Sequence, residues 1–180
     1  MTANNTGSDN TASSRSTRLA AVEKHVKHEN QHDLDGIMET FGDDAWYDVE
    51  PLDEHYHDRE GVQSYYEELL QALPDLHIDV RRRHVTNEHV ILEVTMSGTH
   101  EGMWRGLPGT GRKIEFAVCS VFAFDEEDKI AGERIYYDRA TVLRQLGIFH
   151  DPESVIGQIL TPLTHPITMF RALKRTIFKD

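Results

Sequence analysis

The hydrophobic period changes partway along this chain, and that change constrains the fold more than any other feature. Before residue 75 the apolar residues recur three and four apart: Leu19, Val22 and Val26, then Leu34, Ile37, Met38 and Phe41, then Val62, Tyr65, Tyr66, Leu69 and Leu70. These are the stripes of three amphipathic helices. Pro74 closes the third. From Leu76 the period becomes two. Leu76, Ile78 and Val80 alternate with His77, Asp79 and Arg81, and Val90, Leu92, Val94 and Met96 alternate with Ile91, Glu93, Thr95 and Ser97. Ile114 to Phe124 is apolar on both faces, and Ile130 to Arg139 reads as a last strand after a turn at Asp125 to Lys129. Helices followed by a meander of strands imply an α+β domain, with helices packed on one face of a curved antiparallel sheet.

The flanks differ from this domain. Residues 1–16 are mostly Asn, Thr, Ser, Gly and Asp with no apolar stretch, and are expected to be a disordered tail without a secretory signal. Residues 17–150 form the domain. Residues 151–180 are expected to be a helical extension broken near Thr161 to Pro166, because proline inside a helix is unfavourable. In that extension Met169, Phe170, Leu173 and Ile177 lie opposite Arg171, Lys174, Arg175 and Lys179. A basic amphipathic segment of this kind docks on its own domain, on a partner subunit, or, through residues 167–179, peripherally on a membrane.

A net charge of -12 argues against nucleic acid as a partner. Cys119 is the single cysteine, which excludes an intramolecular disulfide and a thiolate cluster. No apolar run is long enough to cross a membrane, so a cytoplasmic location is expected. His55 and His57 would share one face of a strand, and His25, His28 and His32 fall at helical spacing on a charged helix face. Neither group has the order of a known metal site, and no metal is expected. No Gly-rich phosphate loop precedes a helix, so no nucleotide cofactor is expected either.

Chemistry concentrates in two segments. The stretch Gly98-Thr99-His100-Glu101-Gly102-Met103-Trp104-Arg105-Gly106-Leu107-Pro108-Gly109 runs from a strand end into a Gly/Pro-rich loop. Strand parity from Val90 points His100 inward, where it would bond a substrate carbonyl, and Trp104 and Leu107 are placed to close a pocket mouth. The second segment is Gly132-Glu133-Arg134-Ile135-Tyr136-Tyr137-Asp138. Parity puts Arg134, Tyr136 and Asp138 on one face, expected to be the cavity side. An aspartate in an apolar cavity has a raised pKa suited to a general acid or base. The competing reading pairs Asp138 with Arg134 or Arg139 as an ordinary ion pair.

These segments, with His32-Asp33-Leu34-Asp35, Gly61, Pro74-Asp75-Leu76, Pro108-x-Thr110-Gly111-Arg112 and Gln145-Leu146-Gly147, resemble the SnoaL-like polyketide cyclases of the nuclear transport factor 2-like superfamily, from about Leu19 to Gly147. The resemblance implies a cone-shaped α+β barrel, usually dimeric through its sheet, with a pocket between helices and sheet. It implies closure of a polyketide ring by an intramolecular aldol reaction, with Asp138 at the position of the acid/base aspartate. The expected activity is therefore cofactor-independent acid/base chemistry, cyclisation or isomerisation, on a small apolar carbonyl compound. Asp138 and His100 would be catalytic, and Trp104, Leu107, Arg134 and Tyr136 would bind substrate. The alternative is a non-catalytic ligand-binding or dimerisation module of the same fold.

Overall fold

A computed structural model describes residues 6–177, with side chains from Ser13 onward. Helix α1 spans Thr6–Gln31. It ends at His32, whose left-handed φ of 55° breaks the helix where the sequence suggested. Its start differs from expectation. Residues 6–16 are helical rather than a disordered tail, and residues 1–5 lie outside the described residues. Tertiary anchoring accounts for the longer helix. Ser14 donates to Asp128 at 2.9 Å, Arg18 pairs with Asp128 at 2.6 Å, and Arg15 donates to Asn87 at 2.9 Å. Two turns of the sheet thus hold the N-terminal part of α1.

A short helix α2, Leu34–Glu39, is capped by Asp33, which accepts from the Gly36 amide. Strand β1, Phe41–Val49, begins at a residue that the spacing assigns to the second helical stripe, so Gly42 lies inside the strand. A single 3₁₀ turn, Glu50–Leu52, leads into β2, Glu54–His57. Helix α3, Asp58–Ala72, buries Val62, Tyr65, Tyr66 and Leu69, the expected stripe. The meander follows as β3, His77–Val85; β4, His89–Thr99; β5, Lys113–Phe124; and β6, Ile130–Tyr137. Helix α4, Arg139–Gln145, closes the domain.

The strands form one curved six-stranded sheet of order β2-β1-β6-β5-β4-β3. Every pairing is antiparallel except β1 with β6, which is parallel. Register shifts interrupt β1/β6, β3/β4 and β5/β6, and such bulges bend a sheet toward a cone. On β1 the Trp46 ring lies against Gly132 of β6. A Cβ at Gly132 would come within 2.0 Å of that ring, so only glycine allows the approach. The concave face carries Leu92, Val94, Met96, Ile114, Phe116, Val118 and Phe122 and packs on α1 and α3. The convex face of β5 leaves Ala117 exposed and Cys119 and Val121 partly exposed in the single chain.

Beyond α4 the chain forms α5, Val155–Thr164, and α6, Pro166–Ile177. The break at His165 lies in the expected interval, and Pro166 opens α6, a position where its missing N–H costs nothing.

Candidate functional site

The loop from His100 to Arg112 is pinned to the end of α3. The Glu101 and Gly102 amides both donate to the Ala72 carbonyl, at 3.0 and 3.3 Å. Gly102 lies so close to the Gln71 carbonyl that a Cβ would sit 2.1 Å from it. The loop also closes on itself, with His100 N donating to Arg112 O and Gly111 N to His100 O, both at 2.9 Å. At its tip Trp104 and Leu107 exchange two backbone hydrogen bonds of 2.9 Å around Arg105 and Gly106, which have φ of 53° and 74°. Two consecutive left-handed residues make a turn that disfavours a side chain at the first position. Arg105 is held there by its surroundings. Its amide donates to Glu68 at 2.8 Å, and its guanidinium donates to the Tyr56 hydroxyl at 2.6 Å and pairs with Glu54 at 2.5 Å.

Under this tip lies an apolar cavity of about 180 Å³, lined among others by Leu52, Trp104, Leu107, Tyr137, Val142 and Leu146. Trp104, Arg105 and Tyr137 also line a deeper throat of about 10 Å³, bounded by Tyr65, Met96 and Ile135. The throat tyrosines stay protonated. Burial raises the Tyr65 hydroxyl well above its ordinary value and raises Tyr137 in the same direction. Two buried side-chain polar atoms lack a hydrogen-bond partner among the described residues, and both belong to this loop: His100 Nε2 and Arg105 Nε. The Thr110 amide donates to His100 Nδ1 at 3.3 Å, which leaves the ring proton on Nε2. Both orphans are therefore donors. Burial holds the His100 imidazole below its usual pKa, so it is neutral.

Below the throat a layer of tyrosines covers a buried polar network. Tyr47 stacks on Tyr65 with ring centroids 4.1 Å apart, and Tyr66 meets both edge-on. Tyr66 Oη lies 3.0 Å from His25 Nε2, 3.2 Å from Glu29 and 3.3 Å from Glu133. His25, Glu29 and Glu133 are all buried. Burial opposes the charged imidazole of His25, but Glu29 and Glu133 together outweigh it and push the pKa up to about 9. Burial also raises Glu133, with His25 partly opposing. The hydroxyl of Tyr66 thus bridges an imidazolium and two carboxylates that share protons. One donor atom from each of His25, Glu29 and Glu133 lies within 4.8 Å of the others, so these are the described residues able to hold a metal ion. His55 and His57 face away from this cluster in function: their rings stack at 6.5 Å and His55 pairs with Asp48 at 2.8 Å.

The structure sorts the residues expected from sequence. Trp104 and Leu107 line the cavity. His100 is fully buried behind Trp104, its ring edge-on to the indole at 5.9 Å. The parity expectation for β6 is reversed. Glu133, Ile135 and Tyr137 point inward, while Arg134, Tyr136 and Asp138 lie on the outer side. Arg134 clamps Asp48 with hydrogen bonds of 3.0 and 2.8 Å and lies over the Trp46 ring. Tyr136 is 44% exposed. Asp138 is the exposed N-cap of α4, accepting from Ala140 N at 2.9 Å and Thr141 Oγ1 at 2.6 Å. The Thr141 bond, and then the Ala140 amide, hold its carboxyl below the usual range, the opposite of the raised value expected in a cavity. His25, placed by sequence on a charged helix face, is instead fully buried. The residues that sequence reasoning missed are Arg105, Tyr137, His25, Glu29 and Glu133. The four-residue spacing of His25 and Glu29 was a signal, but nothing marked Glu133 as their partner.

Comparison with known proteins places this architecture. AclR of Streptomyces galilaeus, a proposed hydroxylase, aligns with a TM-score of 0.66 at 24% identity, over 76% of this chain and 99% of its own. A proposed SnoaL-like polyketide cyclase from Jannaschia sp. CCS1 aligns at 0.69 and 15% identity, over 76% and 95%. IdmH of Streptomyces antibioticus, a proposed polyketide cyclase, aligns at 0.61 and 23% identity, over 72% and 98%. These likenesses show the fold. No curated protein matches the sequence. The SnoaL-like polyketide cyclase model matches residues 19–146, most of the chain, with the whole of the sheet and the loop just described. The chain belongs to the SnoaL-like polyketide cyclase family.

Proposed function

We propose that this protein carries out cofactor-independent carbon-acid chemistry, intramolecular aldol cyclisation or isomerisation, on a small apolar carbonyl compound. The observation that carries this reading is the unpartnered buried Nε donor of Arg105, a residue that lines both the cavity and its throat. Buried donors are normally satisfied, and one beside an apolar cavity suits a ligand bearing an acceptor oxygen. Arg105, with Tyr137 beside it, stabilises the negative charge on an enolate oxygen. Glu133 takes the proton, because burial raises its proton affinity and the His25 network returns it. Tyr66, whose hydroxyl lies 3.3 Å from Glu133, is the last group on the proton's route. In the aldol case the α C–H bond breaks and the enolate carbon attacks the second carbonyl carbon. That carbonyl's π bond breaks, and the resulting alkoxide accepts the proton. Asp138, committed to capping α4, has no part in this scheme.

The test is hydrogen–deuterium exchange at the central carbon of a soluble β-diketone, followed by NMR. Exchange faster than buffer, lost in Glu133→Gln and kept in Asp138→Asn, supports the scheme. One observation favours the second reading, a ligand-binding module: the throat is narrow and the stacked Tyr47–Tyr65 pair separates it from Glu133. Saturable diketone binding with exchange at the buffer rate would establish that reading.

The proposal includes a homodimer in the cytoplasm. Ala117, Cys119, Val121 and Tyr136 leave a partly apolar convex sheet face that a second copy would cover. The lone thiol of Cys119, raised by burial, suits a reducing compartment.

A further inference from the structure

Helices α5 and α6 carry much more exposed apolar surface than the rest of the molecule. Val155, Ile156, Ile159 and Leu163 of α5 and Ile167, Phe170, Leu173 and Ile177 of α6 are all exposed, with Leu163 at 71% and Phe170 at 70%. Surface of this kind on two adjoining helices calls for something to cover it. On α6, Met169, Phe170, Leu173 and Ile177 share one face, and Lys174, Arg171 and Arg175 occupy the adjoining one. The sequence contains no Asp or Glu between Glu153 and Asp180, although the chain as a whole carries a net charge of -12. All the positive character of this segment is therefore uncompensated from within.

Three occupants of the apolar faces compete. The protein's own barrel is a poor one. Outside α5 and α6 its large exposed hydrophobic residues, among the described residues, are Met103, Tyr136 and Ile148, too few to receive two helix faces. Pairing with the same segment of a second copy would bring two basic faces together without an acid to separate them. An anionic bilayer surface satisfies both halves of the helix: acyl chains take the apolar face and headgroups take the lysine and arginines. No helix among the described residues is long and apolar enough to cross a membrane, so the helices would lie along it.

We propose that residues 155–177 dock this protein on anionic membrane surfaces. The segment is joined to α4 by residues 146–154, and Ile148 in that junction, half-exposed, lines the apolar cavity. Docking would present that cavity to a reservoir of apolar molecules. The membrane contact itself does not depend on what the cavity does.

The experiment is co-sedimentation of the full chain with vesicles of phosphatidylcholine alone and of phosphatidylcholine with phosphatidylglycerol, at low and high salt. Binding to the anionic vesicles is expected to exceed binding to the neutral ones by roughly a hundredfold, three cations contributing, and to fall with salt. The triple variant Arg171→Glu/Lys174→Glu/Arg175→Glu should lose the preference for anionic lipid. Phe170→Ser/Leu173→Ser should weaken binding to both vesicle types while keeping the charge. Equal, negligible binding to both vesicles overturns the proposal. A lower melting temperature in Phe170→Ser/Leu173→Ser without any vesicle binding by the parent chain would assign the helices to the barrel. A change from dimer to monomer in that variant, again without vesicle binding, would assign them to a second copy.

Discussion

Thr40 Oγ1 lies 2.7 Å from His25 Nδ1, and its own proton is committed to the Ile37 carbonyl at 2.6 Å. The hydroxyl can therefore only accept from the ring, which fixes a proton on Nδ1 and leaves Nε2 to face Tyr66, Glu29 and Glu133. A second proton on Nε2 makes the imidazolium that the two carboxylates favour.

That imidazolium makes stability depend on pH. Its pKa is about 9 in the folded protein against an ordinary 6.5. The folded value is raised, so the contribution is complete below pH 6.5 and is lost as pH rises through about 9. The loss amounts to on the order of 3 kcal/mol. Glu133, also raised, acts with the same sign. Urea unfolding at pH 6, 7.5 and 9.5 should show a falling midpoint, and a flat profile across that range would contradict a charged His25.

Asp138 should behave as a helix cap. Asn caps nearly as well as Asp, so Asp138→Asn should leave stability almost unchanged, while Asp138→Ala should lower the melting temperature measurably. Neither variant should change diketone exchange more than a few-fold. A loss of a hundredfold or more in Asp138→Asn would return the acid/base role to this residue.

Arg105 should matter for turnover more than for folding when its charge is kept. Arg105→Lys preserves a cation near Glu54 and Glu68 but removes the buried Nε donor. The expected loss in kcat/KM is on the order of a hundredfold, the usual effect of removing one charge-stabilising donor. The melting temperature reports separately whether the turn at Arg105 and Gly106 survives.

Neighbouring residues on β5 should separate association from folding. Val121 faces the convex side, partly exposed, and Phe122 is buried in the core. Val121→Glu should give a folded monomer by analytical ultracentrifugation. Phe122→Glu buries a charge without a partner and should not fold. A wild-type chain that sediments as a monomer at micromolar concentration removes the dimer from the proposal.

Where the pattern was one-sided, it was readable. Val90, Leu92, Val94 and Met96 alternate with polar residues and face the core as their period requires. On β6 both parity sets mix charged and large side chains, so hydrophobicity gave no preference between them. The inward set turned out to hold Glu133, a charge that burial tolerates because His25 and Tyr66 meet it. His25 and Glu29 were equally hidden, since two polar residues on a helix normally face water and their partner is about a hundred residues away. The turn holding Arg105 was out of reach for a different reason. Its left-handed backbone is supported by Glu54, Tyr56 and Glu68, contacts that exist only after β2 and α3 have come together. The cavity residues Trp104 and Leu107 were legible because a Gly/Pro-rich loop leaves large apolar side chains few places to go.

The parallel pairing of β1 with β6 sets the order of events when the chain is made. Phe41–Val49 finds its inner neighbour only in Ile130–Tyr137, whereas β3, β4 and β5 each pair with the next strand along the chain. Closing a loop of that length costs conformational entropy before any contact offsets it. On the ribosome, the hairpin of β1 and β2 must wait with an open edge until the sixth strand emerges. The proton-sharing cluster waits too, because Glu133 is carried by that strand. Chains shortened anywhere before residue 133 should therefore expose His25 and Glu29 without their partner and depend on chaperones, while the β3–β4 hairpin assembles on its own schedule.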